Sequence, residues 1–404
     1  MMDRKYSSLL LVTTALSVLP ASAVLADDDP FLTWHVSTSG HDSYPGLFEV
    51  MPFRTIERAV SRANDGDTIY VHAGVYRPSG TVDFEGKSLT IFGDVHANGN
   101  PATIIEGPAD EALFTSSMDD GQAVPLEDAS ILSDLILRDT MVAIWFDSPI
   151  IVTNTVFISN EWDGLLKQGE IIDCSFYDQD RGLIGSSLHV EGCDFLGGIY
   201  GLTCTSTCDD RIDAIVRDCR FTGYSRTPLS ADGEWFDWCP GYGVLLADLV
   251  VTDNDSDGIH ASANTTITDC QVESNGGSGI VVTNEFGGTG CRITDSTISD
   301  NGRFGILDLG RENYATATLE GMHVRSSLIC GNARMQVRGG YYYPDVMDVW
   351  KSWNDATLES VGHGFGDYWK GSDLIVRRHC FSPVVGAVIG DSVLDRSVRS
   401  PFRR

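Results

Sequence analysis

Along much of the chain, short runs of alternating aliphatic and polar residues are separated by tight clusters of Gly, Asn, Asp and Ser; "TTITDCQV" (265–272) and "CRITDSTI" (291–298) are examples. Alternation with period two is the mark of a strand with one buried face, and the clusters carry turn chemistry. The turns recur in a fixed frame. Asp269, Asn275, Gly279 and Ile280 match Asp295, Asn301, Gly305 and Ile306. Asp248, Asn254, Gly258 and Ile259 fit the same frame, as do Asn154, Asn160, Gly164 and Leu165. A partial copy runs through Ser326, Asn332, Gln336 and Val337, and half-copies surround Cys174, Cys193 and Cys219. The frame starts at positions 134, 154, 173, 192, 218, 248, 269, 295 and 326. A core coil of roughly 20 residues with variable insertions is a solenoid signature. No helix-length segment separates the copies, so the pattern predicts an all-β parallel β-helix with three turns per coil.

That geometry assigns structural roles. Asn160, Asn254, Asn275, Asn301 and Asn332 are expected to stack at one corner with their amides bonded from coil to coil. Gly164, Gly258, Gly279 and Gly305 are expected at positive φ. Cys174, Cys193, Cys219 and Cys270 share one position and read as small core residues, with Cys219 and Cys270 as buried thiols. Cys204 and Cys208 are the expected disulfide.

Residues 34–94 differ. Ile56, Ala59, Val60 and Ala63 lie on one helical face, and Asn64-Asp65-Gly66 stops the helix. The strand "DTIYVHAGVY" follows, so the helix is suited to plug the open end of the tube. The run "VSTSGHDSYPG…PFRTIERAV…GDTIYVHAGVY" resembles the N-terminal module of exported right-handed parallel β-helix proteins of the pectin-lyase-like superfamily. The repeats extend the resemblance to about residue 340. It implies a right-handed, single-stranded parallel β-helix with an N-terminal capping helix. It does not choose among lyases, glycoside hydrolases, epimerases and adhesins. The expected organisation is a signal peptide over 1–26, a cap with the first coils over 27–94, β-helix repeats over 95–338, and an aromatic-rich insertion, last coil and tail over 339–404.

The signal peptide is read from the charged start at Asp3, Arg4 and Lys5, the apolar stretch Leu9 to Leu19 and the small residues before Ala26. No later apolar run is long enough to span a bilayer, so a secreted or periplasmic monomer is expected. The chain carries 57 Asp and Glu against 28 Lys and Arg, a formal charge of −29. Like-charge repulsion argues against nucleic acid or an anionic membrane as partner. The partner expected from the resemblance is a polysaccharide or cell-surface glycan, with a non-catalytic surface or envelope scaffold as the alternative function.

Three places carry candidate chemistry. "DNDSDG" puts Asp253, Asp255 and Asp257 in the order of the front half of a calcium loop, so they are the candidate Ca²⁺ ligands. The same turn reads "SNGGS" and "DNGRF" in the next two coils, which explains its backbone without metal. Asp257 and His260 distantly resemble the Asp-Pro-His of alginate-epimerase-like members. With Arg303, which shares a register position with Arg334, they form the candidate catalytic set. The insertion "SADGEWFDWCPGYG" offers Glu234, Trp235 and Trp238, which with Arg334 are the candidate substrate-binding residues. Rings stack on pyranose faces, and carboxylates serve as acid and base. Residues 339–371 hold a second aromatic group, suited either to glycan binding or to closing the tube.

Overall fold

The computed structural model describes residues 31–116, 128–204, 214–231, 243–262, 265–283 and 291–308, and beyond these only the backbone of strands up to Ile389. From Leu32 the chain winds into coils whose strands stack in three parallel ladders. The first begins Thr33–Val36, Thr68–Val71, Thr90–Gly93 and Ser130–Ser133 and reaches His323–Arg325. The second begins Gly74–Tyr76, Thr103–Glu106 and Leu135–Arg138 and reaches Leu328–Cys330. The third begins Val82–Asp83, Ala112–Ser116 and Val142–Phe146 and reaches Met335–Gly339. Trp162–Ile172 and Ser175–Glu191 continue through corners and serve more than one ladder. After Met335–Gly339 the pairing turns antiparallel through Val349–Trp353 and Leu358–Val361, while Leu374–Arg377 stacks parallel on Leu328–Cys330. Among the described residues no helix is long and apolar enough to cross a membrane.

The plug forms as the residue pattern predicts. Helix Ile56–Arg62 starts at Thr55, whose hydroxyl accepts from the Arg58 amide at 3.3 Å, and buries Ile56, Ala59 and Val60. It packs on the first strands of the first and third ladders. Asp42 accepts from the Arg54 and Thr55 amides, which ties the preceding loop to the helix start. Asp67 is buried and ionisable, but three donors meet it: the Leu32 and Asn64 amides and the Trp34 indole at 2.9 Å.

Inside the tube, like side chains stack on like. Phe157, Phe176, Phe195 and Phe221 form a column with centroids 4.7, 4.4 and 4.5 Å apart. Val251, Val272 and Ile298 continue it. The asparagine corner is also present. The Asn254 amide nitrogen donates to Asn275 Oδ1 at 2.8 Å, and that of Asn275 donates to Asn301 Oδ1 at 3.0 Å. Each of these two acceptor oxygens also takes a backbone N–H from the coil before, and all three side chains are buried. Asn160 holds the same corner four coils before Asn254, but Gln179, Gly198 and Tyr224 stand between them. Asn332 lies outside the described residues.

Two expectations are corrected. Positive φ belongs to the residue that starts each frame, not to the glycines. Asp134, Asn154, Asp173, Asp218, Asp248, Asp269 and Asp295 have φ between 42° and 61°, and Gly192 fills the same slot at 66°. Asp and Asn tolerate the left-handed region better than other side chains. Gly258 and Gly279 are required for space instead. A Cβ on Gly258 would lie 2.6 Å from the Gly279 carbonyl oxygen and 3.0 Å from the Asn275 amide nitrogen, and one on Gly279 would lie 2.8 Å from that of Asn301. The second correction is a slip of one residue. Gly164 pairs with Leu183, placing it level with Leu202, Leu229 and Ile259 rather than with Gly258. The turn after Asn160 is one residue shorter than the turn after Asn254.

The cysteine column has a more specific role than filling space. Thr155, Cys174, Cys193, Cys219, Cys270 and Ser296 each follow the left-handed residue. Each donates its hydroxyl or thiol to the carbonyl two positions back, at 2.9, 3.3, 3.3, 3.0, 3.2 and 2.8 Å. Cys219 and Cys270 are buried thiols as expected, with Leu249 between them in the column. Burial pushes the Cys204 and Cys270 thiols up to about 12, so neither is a nucleophile at neutral pH. The Cys204–Cys208 pairing involves Cys208, which lies outside the described residues.

The slip also leaves Asp163 fully buried. Its Oδ1 accepts from the Asn160 amide at 3.0 Å, its Oδ2 has no partner, and burial raises its pKa to about 8 against the small opposing effect of Asn160. Because the folded value lies above the unfolded one, the folded state holds a proton that the unfolded chain releases. This stabilisation is complete below about pH 4 and is lost as pH rises through about 8.

Two outcomes are expected. Asn275→Ala should destabilise the chain by about 3 kcal/mol in denaturant melts, since it strands the Asn254 amide and removes the acceptor for its backbone N–H. Asp163→Asn should gain stability relative to wild type as pH is raised from about 5 to about 9, because the variant has no carboxyl to ionise. Parallel pH profiles for the two proteins would show that Asp163 is not protonated in the fold.

Candidate functional site

The third ladder presents two outward columns along its middle coils. Trp162, Arg181 and Tyr200 pair in one. Trp145, Leu165, Ile184, Thr203, Ser230 and His260 pair in the other. Where they end, a groove of about 500 Å³ is lined by Arg181, Tyr200, Thr203, Arg226, Ser230, Ser256, Asp257 and His260, among others. Ile259 is fully buried, so strand alternation turns His260 outward. Asp257, in the turn before the strand, meets it: Asp257 Oδ2 lies 3.2 Å from His260 Nε2, with the two side chains 23% and 24% exposed.

Burial alone would raise the Asp257 carboxyl. The hydrogen bonds from His260 and from the Ser278 amide, at 2.6 Å to Oδ1, outweigh it and hold the carboxyl below the usual carboxylate range. Asp257 is therefore ionised at neutral pH and fixes the imidazole in place. Across the groove, Arg226 donates to the Tyr200 hydroxyl at 2.6 Å and lies over that ring. The Arg181 guanidinium rests 4.4 Å from the Trp162 ring centroid. Each arginine is held by an aromatic partner, which leaves the remaining N–H donors of its fork for a ligand.

Of the candidate residues, the structure brings Asp257 and His260 together. Arg303 is exposed and lies elsewhere: its amide donates to the Gly277 carbonyl, and Gly277 in turn stacks on Ser256, so Arg303 is two coils beyond the Asp257 turn. Asp253 is a left-handed corner residue at φ 57°, equivalent to Ser274 and Asp300 in the next coils. Asp255 is exposed where those coils have Gly276 and Gly302. Asp257 is committed to His260 and Ser278. Of the three aspartates only Asp257 has described side-chain partners, and among the described residues no group of three or more His, Cys, Asp or Glu could hold a metal ion. Glu234, Trp235, Trp238 and Arg334 lie outside the described residues.

Arg181, Tyr200 and Arg226 were not singled out from the sequence. They belong to coils whose corner lacks Asn, so those coils show only half of the frame. The sequence does carry a signal: Arg181-Gly-Leu, Tyr200-Gly-Leu and Asp257-Gly-Ile are the same three positions of their turns, with Thr227-Pro-Leu in the coil between the last two.

The model of the family described as right handed beta helix region matches residues 240–320. No curated protein matches the chain in sequence. Among solved structures, the A-module of the Azotobacter vinelandii mannuronan C-5 epimerase AlgE4 is similar at 15% identity. The match covers 83% of this chain and 92% of that one, with a TM-score of 0.54. The A-module of AlgE6 from the same organism is 14% identical over 79% of this chain and 92% of that one, with a TM-score of 0.48. At this identity the AlgE4 likeness is one of fold. The chain has the right-handed parallel β-helix fold.

Thermal melts in EDTA, in millimolar Ca²⁺ and in millimolar Mg²⁺ should agree within about 1 °C, and Asp255→Asn should leave them unchanged. A Ca²⁺-specific rise that Asp255→Asn removes would show instead that the three aspartates converge on the ion.

Proposed function

We propose that this chain binds an acidic polysaccharide in the groove of its third ladder and removes the proton from the sugar carbon that bears the carboxylate. The observation that carries this is the Asp257–His260 pair facing Arg181 and Arg226 in one groove of a strongly acidic protein. A cationic pair maintained against a charge of −29 suits an anionic ligand. The arginine forks match carboxylates.

His260 is the base, oriented by ionised Asp257. The proton passes to the imidazole, and the C–H electron pair moves onto the sugar carboxylate, where the arginines stabilise the added charge. Collapse with loss of the glycosidic oxygen gives an unsaturated end, and the leaving oxygen takes a proton. Return of a proton to the opposite face gives the epimer. Both outcomes share the first step. Hydrolysis needs a second carboxylate placed across the scissile bond, and Asp257 is the one carboxylate among the groove-lining residues described. The likeness to an epimerase module agrees with this reading, and the reading implies a secreted or periplasmic location, where such polymers occur.

The test is incubation with polymannuronate and polygalacturonate in D₂O, with a neutral β-glucan as control. Deuterium incorporation at the carbon next to the carboxylate, or ultraviolet absorbance from an unsaturated product, is expected with a uronate and not with the glucan. His260→Ala should lower the rate by about a hundredfold or more, and Asp257→Asn should lower the rate at saturating substrate more than it weakens binding. A protein that binds uronates and produces neither signal is a scaffold instead.

A further inference from the structure

We infer that Trp145 is a distal sugar-stacking subsite of the same groove, so that the protein selects for long polymer chains lying along the tube axis. The inference rests on the proposed glycan binding. Trp145 is 47% exposed in the middle of the strand Val142–Phe146, whereas its neighbours Ile144 and Phe146 are fully buried. Strand alternation points it out from the same face as His260. Five successive pairings connect the two: Trp145 to Leu165, Ile184, Thr203, Ser230 and His260. At about 4.8 Å per rung, Trp145 stands about 24 Å from the catalytic pair.

One rung is close to the advance of one sugar in an extended pyranose chain, so a polymer seated at His260 has a sugar over Trp145 several residues away. The column between them carries no charged side chain. Leu165 and Ile184 are partly exposed aliphatics, and Thr203 and Ser230 are short hydroxyls, so no side chain of this column is large enough to block the path. Beside it runs the column that holds Trp162 under Arg181 and then Tyr200, a wall that carries the cation needed for an acidic chain. An exposed indole at the far end of such a floor offers a flat apolar face to the C–H face of a pyranose. The continuous path of groove, floor and ring favours a glycan over a protein partner.

Binding should be measured by titration calorimetry on the full chain with trimers and octamers of mannuronate and of galacturonate. For the wild type, the octamer should bind more tightly than the trimer. Trp145→Ala should weaken octamer binding about tenfold and leave trimer binding unchanged, with an unaltered thermal melt. Trp145→Tyr should retain most of the octamer affinity, and Arg181→Ala should weaken both lengths. Equal octamer affinity in wild type and Trp145→Ala, equal loss for both lengths in that variant, or no length preference in the wild type would each overturn the subsite and leave the groove standing. Failure of either oligomer to bind the wild type would overturn the subsite and the proposed function together.

Discussion

Parallel stacking requires successive coils to turn at the same place, and in the described coils from Asp134 to Asp295 that turn is made by one residue in the left-handed region. At the first corner this residue is nearly always Asp or Asn, and once Gly. The carbonyl two positions before the following residue accepts the backbone N–H of the left-handed residue one coil earlier, as Thr153 does from Asp134 and Glu191 from Asp173. A hydroxyl or thiol at that following position bonds the same carbonyl. Sequence and hydrogen bonding are therefore coupled at most of these corners: an Asp, Asn or Gly that accepts the left-handed φ, then a small donor inside, with Leu135 and Leu249 in the inner place after Asp134 and Asp248. An S–H is a weak donor, and the carbonyl it meets already holds a backbone N–H, so its bond adds a modest second contribution and Leu can take its place, as at Leu249. Thr, Cys, Ser and Leu accordingly all occur in the column, while charged residues do not enter it among the described coils.

The inward face is thus dictated by its neighbours one rung away, and the outward face is not. Phe stacks on Phe, and Asn on Asn, because each coil supplies the other's contacts. Outside, adjacent rungs can carry unrelated side chains at no cost to the stack, and chemistry collects there. The groove uses this freedom. Arg181, Tyr200 and Asp257 occupy equivalent or nearly equivalent turn positions in different coils, so the register itself fixes their spacing.

The fold was legible because its signal is repeated. A single Asp-x₅-Asn-x₃-Gly-Ile says little, but several in one frame define a coil, and the helix over 56–62 was marked by its apolar face and its stop. The Asn254–Asn275–Asn301 corner followed from that frame. Gly164 did not, because a turn shorter by one residue leaves the sequence spacing intact while moving the side chain to a new slot. The site was half legible. Asp257 and His260 were found through a local motif, since i and i+3 across a turn are close in any register. Arg181 and Arg226 were missed because their nearness to Asp257 depends on stacking across coils with variable insertions. Arg303 was misplaced for the converse reason: a shared position in the frame places residues in one column, and a column runs the length of the tube.

The scarcity of lysine bears on which cation can serve the groove. Beyond the first 26 residues only Lys87, Lys167, Lys351 and Lys370 occur, so positive charge on this protein is chiefly arginine. An ammonium on a flexible stem beside so many carboxylates would be drawn to whichever was nearest. A guanidinium laid on an aromatic ring is held by that ring and keeps its fork directed. Trp162 under Arg181, and Tyr200 beside Arg226, thus do for the arginines what Asp257 does for His260: each functional group is oriented by a neighbour on the rigid stack rather than by the ligand. A site prepared in this way loses little side-chain entropy on binding. The acidic ligand proposed for the groove would occupy both forks, which a neutral sugar would leave without a partner.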